Sequence, residues 1–519
     1  MSKPNLMSAK WKKTRAMLMA NASVLALSAC GGSSSEEEIE TGESAAGLNI
    51  VDGATDEMDS IPGTVNSDFI EALGGNDFVL ALTGDDEIYG GDGNDTLFGH
   101  EGDDTIYGGA GDDTIHPGEG DDKSFGGAGN DIIYLSSGND SEDGGEGNDT
   151  LKIPSTHSGV ATTIDLLIGQ YYFTVQGSSA YLNLKSIENV DSQAKADLTI
   201  LDTPGVNVIS TSSGNDTVKS FGGNDTISTA GGNDTVELAT GFVYEVKLGS
   251  GDDTVQLGLT YSTIDGGSGT DTVKVKEQDG VSDFYADLDT GFYYFKGVEA
   301  SQDGLDTLLK DFEAVVIEGY INSELIGGDQ AETFTAGDGI DTISGGGGND
   351  VIDAGAEADI ISGGTGADNL TGGAGADTFT GFSLEDQSVV ASAHTFNDGD
   401  DLIVNSETIT FATGSAGSVD VITDFVSGTD KLDVTNADTA PTNLINVDST
   451  SALSDGSGYI LYGSYVATTG VFTAATGYDA TNSNDAIFVE GDGTETAITE
   501  TDYVVLLDLN QALVSTDFI

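Results

Sequence analysis

The chain has 519 residues, with 89 acidic side chains against 16 basic ones, a formal net charge of −73, 74 glycines, 6 prolines and a single cysteine. So acidic a surface repels nucleic acid and anionic membranes, which excludes both as direct partners, and it suits calcium-rich or saline surroundings where carboxylates are paired or screened. One cysteine excludes an intrachain disulfide, and the scarcity of helical periodicity points to an almost wholly β-and-turn chain.

Residues 1–30 read as a secretory signal. Lys3, Lys10, Lys12, Lys13 and Arg15 make a basic start without acids, and an apolar run from Ala16 to Leu27 follows that is too short to span a bilayer. The run ends Leu27-Ser28-Ala29-Cys30, which resembles a bacterial lipobox. That resemblance implies cleavage before Cys30, lipid attachment to its thiol, and an extracellular or outer-membrane surface location on a Gram-negative cell. The alternative is an ordinary secretory peptide with an incidental cysteine. Residues 31–62 form a flexible acidic tether.

From 63 to 152 one spacing takes over. Asp77, Asp86, Asp95, Asp104, Asp113, Asp122, Asp131, Asp140 and Asp149 recur every nine residues, each two residues after a glycine. Most stand two residues before an aliphatic: Val79, Ile88, Leu97, Ile106, Ile115, Ile133 and Leu151. In 90–98, Gly-Gly-Asp-Gly-Asn-Asp-Thr-Leu-Phe, the glycines lie where the backbone must turn sharply or take positive φ. The last three residues read as a short strand, with Leu97 facing inward and Thr96 and Phe98 outward. Two nonapeptides then make one turn of a flattened helix, and residues eighteen apart stack.

Stacking sorts the aspartates into two rows, Asp77, Asp95, Asp113, Asp131 and Asp149 along one edge and Asp68, Asp86, Asp104, Asp122 and Asp140 along the other. Neighbouring strands lie about 4.8 Å apart. At that distance two bare carboxylates repel by roughly 3.5 kcal/mol at an effective dielectric near 20. One row would cost on the order of 10 kcal/mol, as much as a domain's whole stability. The rows call for a cation. Calcium fits, because it accepts about six to eight oxygens, carboxylates and backbone carbonyls included, whereas magnesium holds its water too tightly.

These residues resemble the RTX (repeats-in-toxin) family, whose nonapeptide reads G-G-x-G-x-D, any residue, a large aliphatic, any residue. The resemblance implies a parallel β-roll that is disordered without calcium and folds on binding it. Glycine-rich turns with solvated aspartates and no metal are the competing reading. The pattern has departures. Asn66 replaces the turn glycine before Asp68, and Ser124 and Glu142 fall where an aliphatic should be buried. Both belong to one row of strands, so that side of the roll is expected to loosen beyond Asp122.

A β spacer at 153–201 leads to a second block at 202–274, with Asp216, Asp225 and Asp234 in step and Asp253 and Asp271 after a one-residue slip. A second β spacer covers 275–326. The third block, 327–380, carries Asp341, Asp350, Asp359, Asp368 and Asp377, with Glu332 in the equivalent place before them and Glu357 at a turn-glycine position. The spacers resemble each other: DLLIGQYYF at 165–173 and DLDTGFYYF at 287–295. Leu184-Lys185-Ser186-Ile187-Glu188-Asn189-Val190 likewise parallels Leu309-Lys310-Asp311-Phe312-Glu313-Ala314-Val315. Their short strands are expected to cap a roll's open end. Tyr171, Tyr172, Tyr293 and Tyr294 read as packing residues, with carbohydrate stacking as the alternative.

Residues 381–519 are expected to form a C-terminal β cap, sandwich-like, with strands such as Tyr459-Ile460-Leu461-Tyr462 and Tyr503-Val504-Val505-Leu506-Leu507. Asp420-Val421-Ile422-Thr423-Asp424-Phe425 through Lys431-Leu432-Asp433 resembles the segment that closes the roll in serralysin-type C-terminal domains. The ending Ser515-Thr516-Asp517-Phe518-Ile519 resembles the uncleaved signal of RTX substrates of type I exporters. That route differs from the one a lipobox implies, and both end outside the cytoplasm.

The expected fold class is therefore all-β: three calcium-binding parallel β-roll blocks separated by β-rich spacers, with a C-terminal cap. The expected ligands are multiple calcium ions on the nineteen block aspartates named above, and no catalytic or organic-cofactor residue is nominated. His100, His116, His157 and His394 form no H-E-x-x-H zinc motif, and neither a G-x-S-x-G elbow nor a G-x-x-x-x-G-K-S/T phosphate loop occurs. The reading is a non-enzymatic, extracellular or cell-surface protein that folds on binding calcium. One alternative is a surface-layer, matrix or adhesin protein assembled through calcium, partnered by cell-surface polysaccharide or by itself. Another is a secreted enzyme using the repeats as a secretion and folding module.

Overall fold

The computed structural model describes residues 49–380 apart from 52–53, 158–161, 176–177, 261, 279–280, 297–307 and 367, together with separate strand segments at 41–43 and beyond residue 407. Among the described residues there is no α-helix, and a short 3-10 turn at Ser155–His157 is the only helical element. The chain divides into two compact units, Met1–Asp234 and Thr235–Ile519.

In the first unit the nine-residue beat becomes a parallel β-roll. Glu87–Asp92, Thr105–Ala110, Lys123–Ala128 and Ser141–Glu146 pair in parallel in one sheet. Phe78–Leu80, Thr96–Glu101, Thr114–Glu119, Ile132–Tyr134 and Thr150–Ile153 pair in parallel in the other. The register is eighteen residues, so Ile88 lies beside Ile106 and Leu97 beside Ile115. Alternation along each strand turns its central residue inward. Val79, Ile88, Leu97, Ile106, Ile115, Ile133 and Leu151 are accordingly all 0% exposed, and they form the core as columns of one aliphatic per strand. On the outer faces the rings also stack, Tyr89–Tyr107–Phe125 in one sheet and Phe98–His116–Tyr134 in the other. Partial burial in that second stack pushes the His116 imidazole down to about 4, with His100 as the lesser cause.

The spacers differ from the expected caps. Asn183-Leu184-Lys185 pairs in parallel with Ser141-Glu142-Asp143. Asn189–Ser192 pairs with Thr150–Ile153, and Val190-Asp191 pairs onward with Ile209-Ser210. The roll thus continues through the first spacer, which inserts antiparallel strands at Thr162–Asp165, Gln170–Val175 and Ser178–Lys185. The physical reason is the ladder: Ser141–Glu146 and Thr150–Ile153 each present backbone groups that need partners. The returning chain supplies them, and it buries Leu184 beside Glu142 and Val190 beside Leu151, which extends the inward rows.

The second unit repeats this plan. Thr254–Leu257, Thr272–Lys276, Ala314–Glu318, Thr333–Thr335, Val351–Asp353 and Asn369–Thr371 pair in one parallel series. Asp283–Asp287, Asn322–Ile326, Thr342–Gly347, Ile360–Thr365 and Thr378–Thr380 form another. The inserted hairpin here pairs Asp283–Asp287 with Phe292–Lys296. Tyr171 and Tyr293 are buried, and the Tyr293 hydroxyl accepts the Ser262 N–H at 3.1 Å, so both serve packing. Tyr294 stacks on Tyr285 with ring centroids 4.8 Å apart, and the Tyr172 side chain lies outside the described residues. Val421–Ile422 and Lys431–Leu432 extend the two sheets beyond Asn369–Leu370 and Thr378–Phe379. Ser457–Val466, Val471–Ala474, Asp485–Gly491 and Tyr503–Leu506 form antiparallel pairs. Thr408–Thr410 pairs antiparallel with Val471–Ala474, and Asn443–Asn446 pairs in parallel with Ser457–Val466; the rest of 381–519 lies outside the described residues, as do Cys30, the signal segment and the export-signal ending.

The loosening expected beyond Asp122 does not take the form of lost pairing. Lys123–Ala128 and Ser141–Glu146 stay in register, and Ser124 and Glu142 point into the core at 0% and 1% exposure. Neither the Glu142 oxygens nor Ser124 Oγ has a hydrogen-bond partner. Burial drives the Glu142 carboxyl well above the usual range. The nearby Ser124 hydroxyl opposes this without reaching hydrogen-bond geometry, and the Asp140 and Asp122 charges add to it. Glu142→Leu is therefore expected to stabilise the calcium-loaded protein by about 1–3 kcal/mol. Leu97→Ala is expected to destabilise it by about 2–5 kcal/mol. Both are read as shifts of the urea midpoint at constant slope. A Glu142→Leu variant no more stable than the parent would contradict the buried, unsatisfied carboxylate.

Candidate metal centre

The turn from Gly90 to Asp95 shows how the site is assembled. Gly93 takes φ +133°, and a Cβ there would lie 1.5 Å from the Gly75 carbonyl oxygen, so successive turns stack backbone on backbone. Two ladders hold the stack. In the outer one the side-chain oxygens of Asn76, Asn94, Asp112 and Asn130 each accept a backbone N–H from eighteen residues later. In the inner one each aspartate turns one oxygen toward the preceding turn. Asp95 Oδ1 accepts the Asp77 N–H at 2.8 Å, and the Asp95 N–H goes to Asp113 Oδ1 at 2.8 Å. The bond repeats through Asp131 and Asp149. It repeats again along Asp68, Asp86, Asp104, Asp122 and Asp140 in the other row.

The second oxygen is what remains. Oδ2 of Asp77, Asp86, Asp95, Asp104, Asp113, Asp122, Asp131, Asp149, Asp271, Asp350 and Asp359 is buried without a hydrogen-bond partner. In most of these turns it is aimed at one small space. A Cβ added to Gly90 would lie 2.4 Å from Asp95 Oδ2 and 2.6 Å from the Gly108 carbonyl oxygen. At Gly108 the same point lies 2.4 Å from Asp113 Oδ2 and 2.5 Å from the Gly126 oxygen, and at Gly345 it lies 2.2 Å from Asp350 Oδ2 and 2.4 Å from the Gly363 oxygen. Glycine keeps open a cradle in which a carboxylate oxygen and a carbonyl oxygen of the next turn converge. Among the described residues no three acidic, histidine or cysteine side chains gather at metal-binding distance, so a cation here depends on the carbonyls too. An all-oxygen set of carboxylate and carbonyl donors suits a hard, coordination-tolerant ion such as calcium.

Burial is the largest influence on these carboxyls. It raises Asp86, Asp104, Asp122 and Asp359 to about 7, Asp113 to about 8, and Asp149, Asp271 and Asp350 to about 6. The N–H bonded to Oδ1 pulls each back, and neighbouring acids push it up again. Asp77, Asp95, Asp131, Asp216, Asp225 and Asp341 are raised as well, again by burial first.

All nineteen block aspartates are at most 2% exposed, the remaining Asp234, Asp253, Asp368 and Asp377 included, yet their surroundings differ. Asp140 Oδ2 accepts Ser136 Oγ at 2.9 Å, and Asp225 Oδ2 accepts Ser220 Oγ at 2.9 Å. Those turns begin with Leu135 and Ser220 instead of glycine. Ala72 and Ala81 hold the first position before Asp77 and Asp86, so a methyl group stands where Gly90 leaves space. Sequence reasoning missed Asp202, fully buried, whose Oδ1 accepts the Phe221 N–H at 2.7 Å and whose carboxyl burial lifts to about 8. It also missed Glu188 and Glu313, whose carboxylates accept the N–H of Asp149 and Asp271 at 2.9 and 2.8 Å. The matching segments Leu184–Val190 and Leu309–Val315 carried that signal.

Comparison with protein families matches the RTX calcium-binding nonapeptide repeat, described as four copies, at residues 62–97, 89–124, 116–151, 202–236, 248–275, 326–361 and 355–381. The chain is an RTX repeat protein. The RTX nonapeptide is a calcium-binding motif, so calcium ions are partners of this RTX protein. No curated protein matches the chain.

Two outcomes are expected of the RTX rolls. Gly108→Ala fills one cradle while removing no carboxylate, so calorimetric titration should count fewer bound calcium ions than in the parent. An unchanged count would contradict the cradle. Without calcium, a folded roll holds protons that the unfolded chain has lost wherever the pH lies between the ordinary aspartate pKa of about 3.9 and the raised folded values. That stabilisation is complete below the lower value and disappears as pH rises through the raised values of about 6 to 8. In chelating buffer the circular dichroism β signal should therefore grow from pH 8 to pH 5, and a pH-independent signal would contradict the burial of the rows.

Proposed function

We propose that this protein is an extracellular or cell-surface, non-enzymatic calcium-binding protein whose rolls fold as they take up the ion. The observation that carries the reading is the row of buried aspartates, each with Oδ1 committed to the neighbouring backbone and, in the glycine-led turns, Oδ2 facing a carbonyl across a space that only glycine leaves open. Asp95, Asp104, Asp113, Asp131, Asp149, Asp271 and Asp350, with carbonyls of the adjoining turns, are the groups that would hold calcium. The ion supplies positive charge that lets these carboxyls stay ionised at neutral pH in a buried place. The protein's residues supply the rest: glycines shape the turns, the Oδ1 ladders orient the carboxylates, and the aliphatic columns keep water out of the roll.

Because the rows cannot be assembled in an unfolded chain, binding energy and folding energy are one quantity. This supports a location outside the cytoplasm, where calcium is abundant, as does the signal-like start of the chain. The test is a far-ultraviolet circular dichroism titration at pH 7.5. The β signal is expected to rise cooperatively with calcium, to vanish on chelation, and to respond weakly to magnesium. A full β signal that ignores chelator would sink the proposal, and full replacement by magnesium would reject calcium as its ion.

A further inference from the structure

The two inserted segments re-enter their rolls through turns of the same construction. Lys185 is in register with Asp143 and Asn189 with Thr150, so Ser186-Ile187-Glu188 spans in three residues what Gly144–Asp149 spans in six. Lys310 is in register with Asp265 and Ala314 with Thr272, and Asp311-Phe312-Glu313 does the same opposite Gly266–Asp271. The first residue of each short turn is left-handed, with φ 50° at Ser186 and 54° at Asp311, a region sparsely used by residues other than glycine. The second is buried, Ile187 in one and Phe312 in the other. The third is the glutamate that accepts the N–H of Asp149 or Asp271, the bond that an aspartate Oδ1 makes elsewhere in the rows. A lysine on the returning strand pairs with an outward aspartate in both, Lys185 with Asp143 and Lys310 with Asp265.

Each turn also rebuilds the cradle. A Cβ on Gly144 would lie 2.1 Å from the Ser186 carbonyl oxygen and 2.4 Å from Asp149 Oδ2. One on Gly266 would lie 2.3 Å from the Asp311 carbonyl oxygen and 2.7 Å from Asp271 Oδ2. Within the repeats the corresponding distances at Gly108 are 2.5 and 2.4 Å. Asp149 and Asp271 are 0% and 1% exposed, and both Oδ2 atoms lack hydrogen-bond partners. The repeat matches end at 151 and 275, so Ser186 and Asp311 belong to no recognised nonapeptide.

We propose that Ser186–Glu188 and Asp311–Glu313, which lie outside the repeats, complete two calcium sites at the ends of repeat blocks, one with Asp149 Oδ2 and the Ser186 carbonyl, the other with Asp271 Oδ2 and the Asp311 carbonyl. The ion at each fastens the strand returning from an insertion to the roll that the insertion interrupts. This rests on the calcium reading of the repeats. Ser186 and Asp311 act through backbone oxygens, which is why their side chains differ while the left-handed φ and the glutamate are shared. Glu188 and Glu313 are positioning residues that hold the aspartate backbone and add charge beside the site. Closing the chain across a long insertion removes loop freedom that the short repeat turns never had, so the fastening matters most here.

Hydrogen–deuterium exchange of the full chain, with mass-spectrometric readout in calcium and in chelator, tests this. Calcium is expected to slow exchange in the return segments 183–192 and 308–318 as well as in the repeat strands 96–128. Asp149→Asn should return 183–192 to its chelator rate while 308–318 stays slow, and Asp271→Asn should do the reverse. Calcium-dependent slowing in 96–128 without slowing in the return segments would overturn this inference and leave the repeat reading standing. Slowing nowhere would remove the repeat reading itself. Persistent slowing of 183–192 in Asp149→Asn would reject Asp149 as the ligand. If that variant loosens 96–128 too, Glu188→Gln decides, because it keeps the hydrogen-bond acceptor. A move of the 183–192 response to higher calcium supports the site, and an unmoved response rejects it.

Discussion

Everything in these rolls depends on a carboxylate whose two oxygens lead different lives. Oδ1 is tied to the N–H of the aspartate one turn earlier, which fixes the side chain and sets the turns at hydrogen-bonding distance. Oδ2 is thereby carried into a dry space and left facing carbonyl oxygen. A buried anion without a positive partner is costly, and the raised carboxyls of Asp86, Asp104 and Asp113 express that cost. The structure has two ways to relieve it, a proton or a cation, and calcium is the cation that the RTX nonapeptide binds.

The architecture follows from the same constraint. One inward aliphatic per strand is a thin core for each turn, and the outer ring stacks add modestly to it. A roll so lean in apolar contacts is poorly able to hold its acid rows together on burial alone. The turns without a leading glycine show the alternatives open to the fold, among them serine hydroxyls bonded to Asp140 and Asp225 and a methyl group before Asp77 and Asp86. These positions carry no glycine-made cradle, so the ion load is concentrated in the turns that keep one.

Much of this was legible in the amino-acid sequence because the nonapeptide's demands are local. Gly93 must turn, Leu97 must face inward and Asp95 must end the turn, whatever the rest of the chain does. The eighteen-residue register and the two rows followed from counting. What stayed hidden was of longer range. Sequence reasoning treated neighbouring carboxylates as bare charges, whereas the Oδ1 ladder exists only once turns are stacked. The spacers looked like caps because a three-residue turn at Ser186–Glu188 breaks the count of nine, and the pairing of Lys185 with Asp143 spans an insertion that no local pattern announces. Glu188 and Glu313 were visible as a repeated motif, but their place at the ends of the rows required the register.

The most direct measurement is an anomalous difference map from crystals of the full chain grown with calcium. The account expects ion density inside the turns, beside Oδ2 of Asp95, Asp104 and Asp113 and the facing glycine carbonyls, in two files along the edges of the roll. A folded roll whose calcium sits only on outward carboxylates such as Asp85, Asp103 and Asp121, with nothing in the glycine cradles, would contradict it.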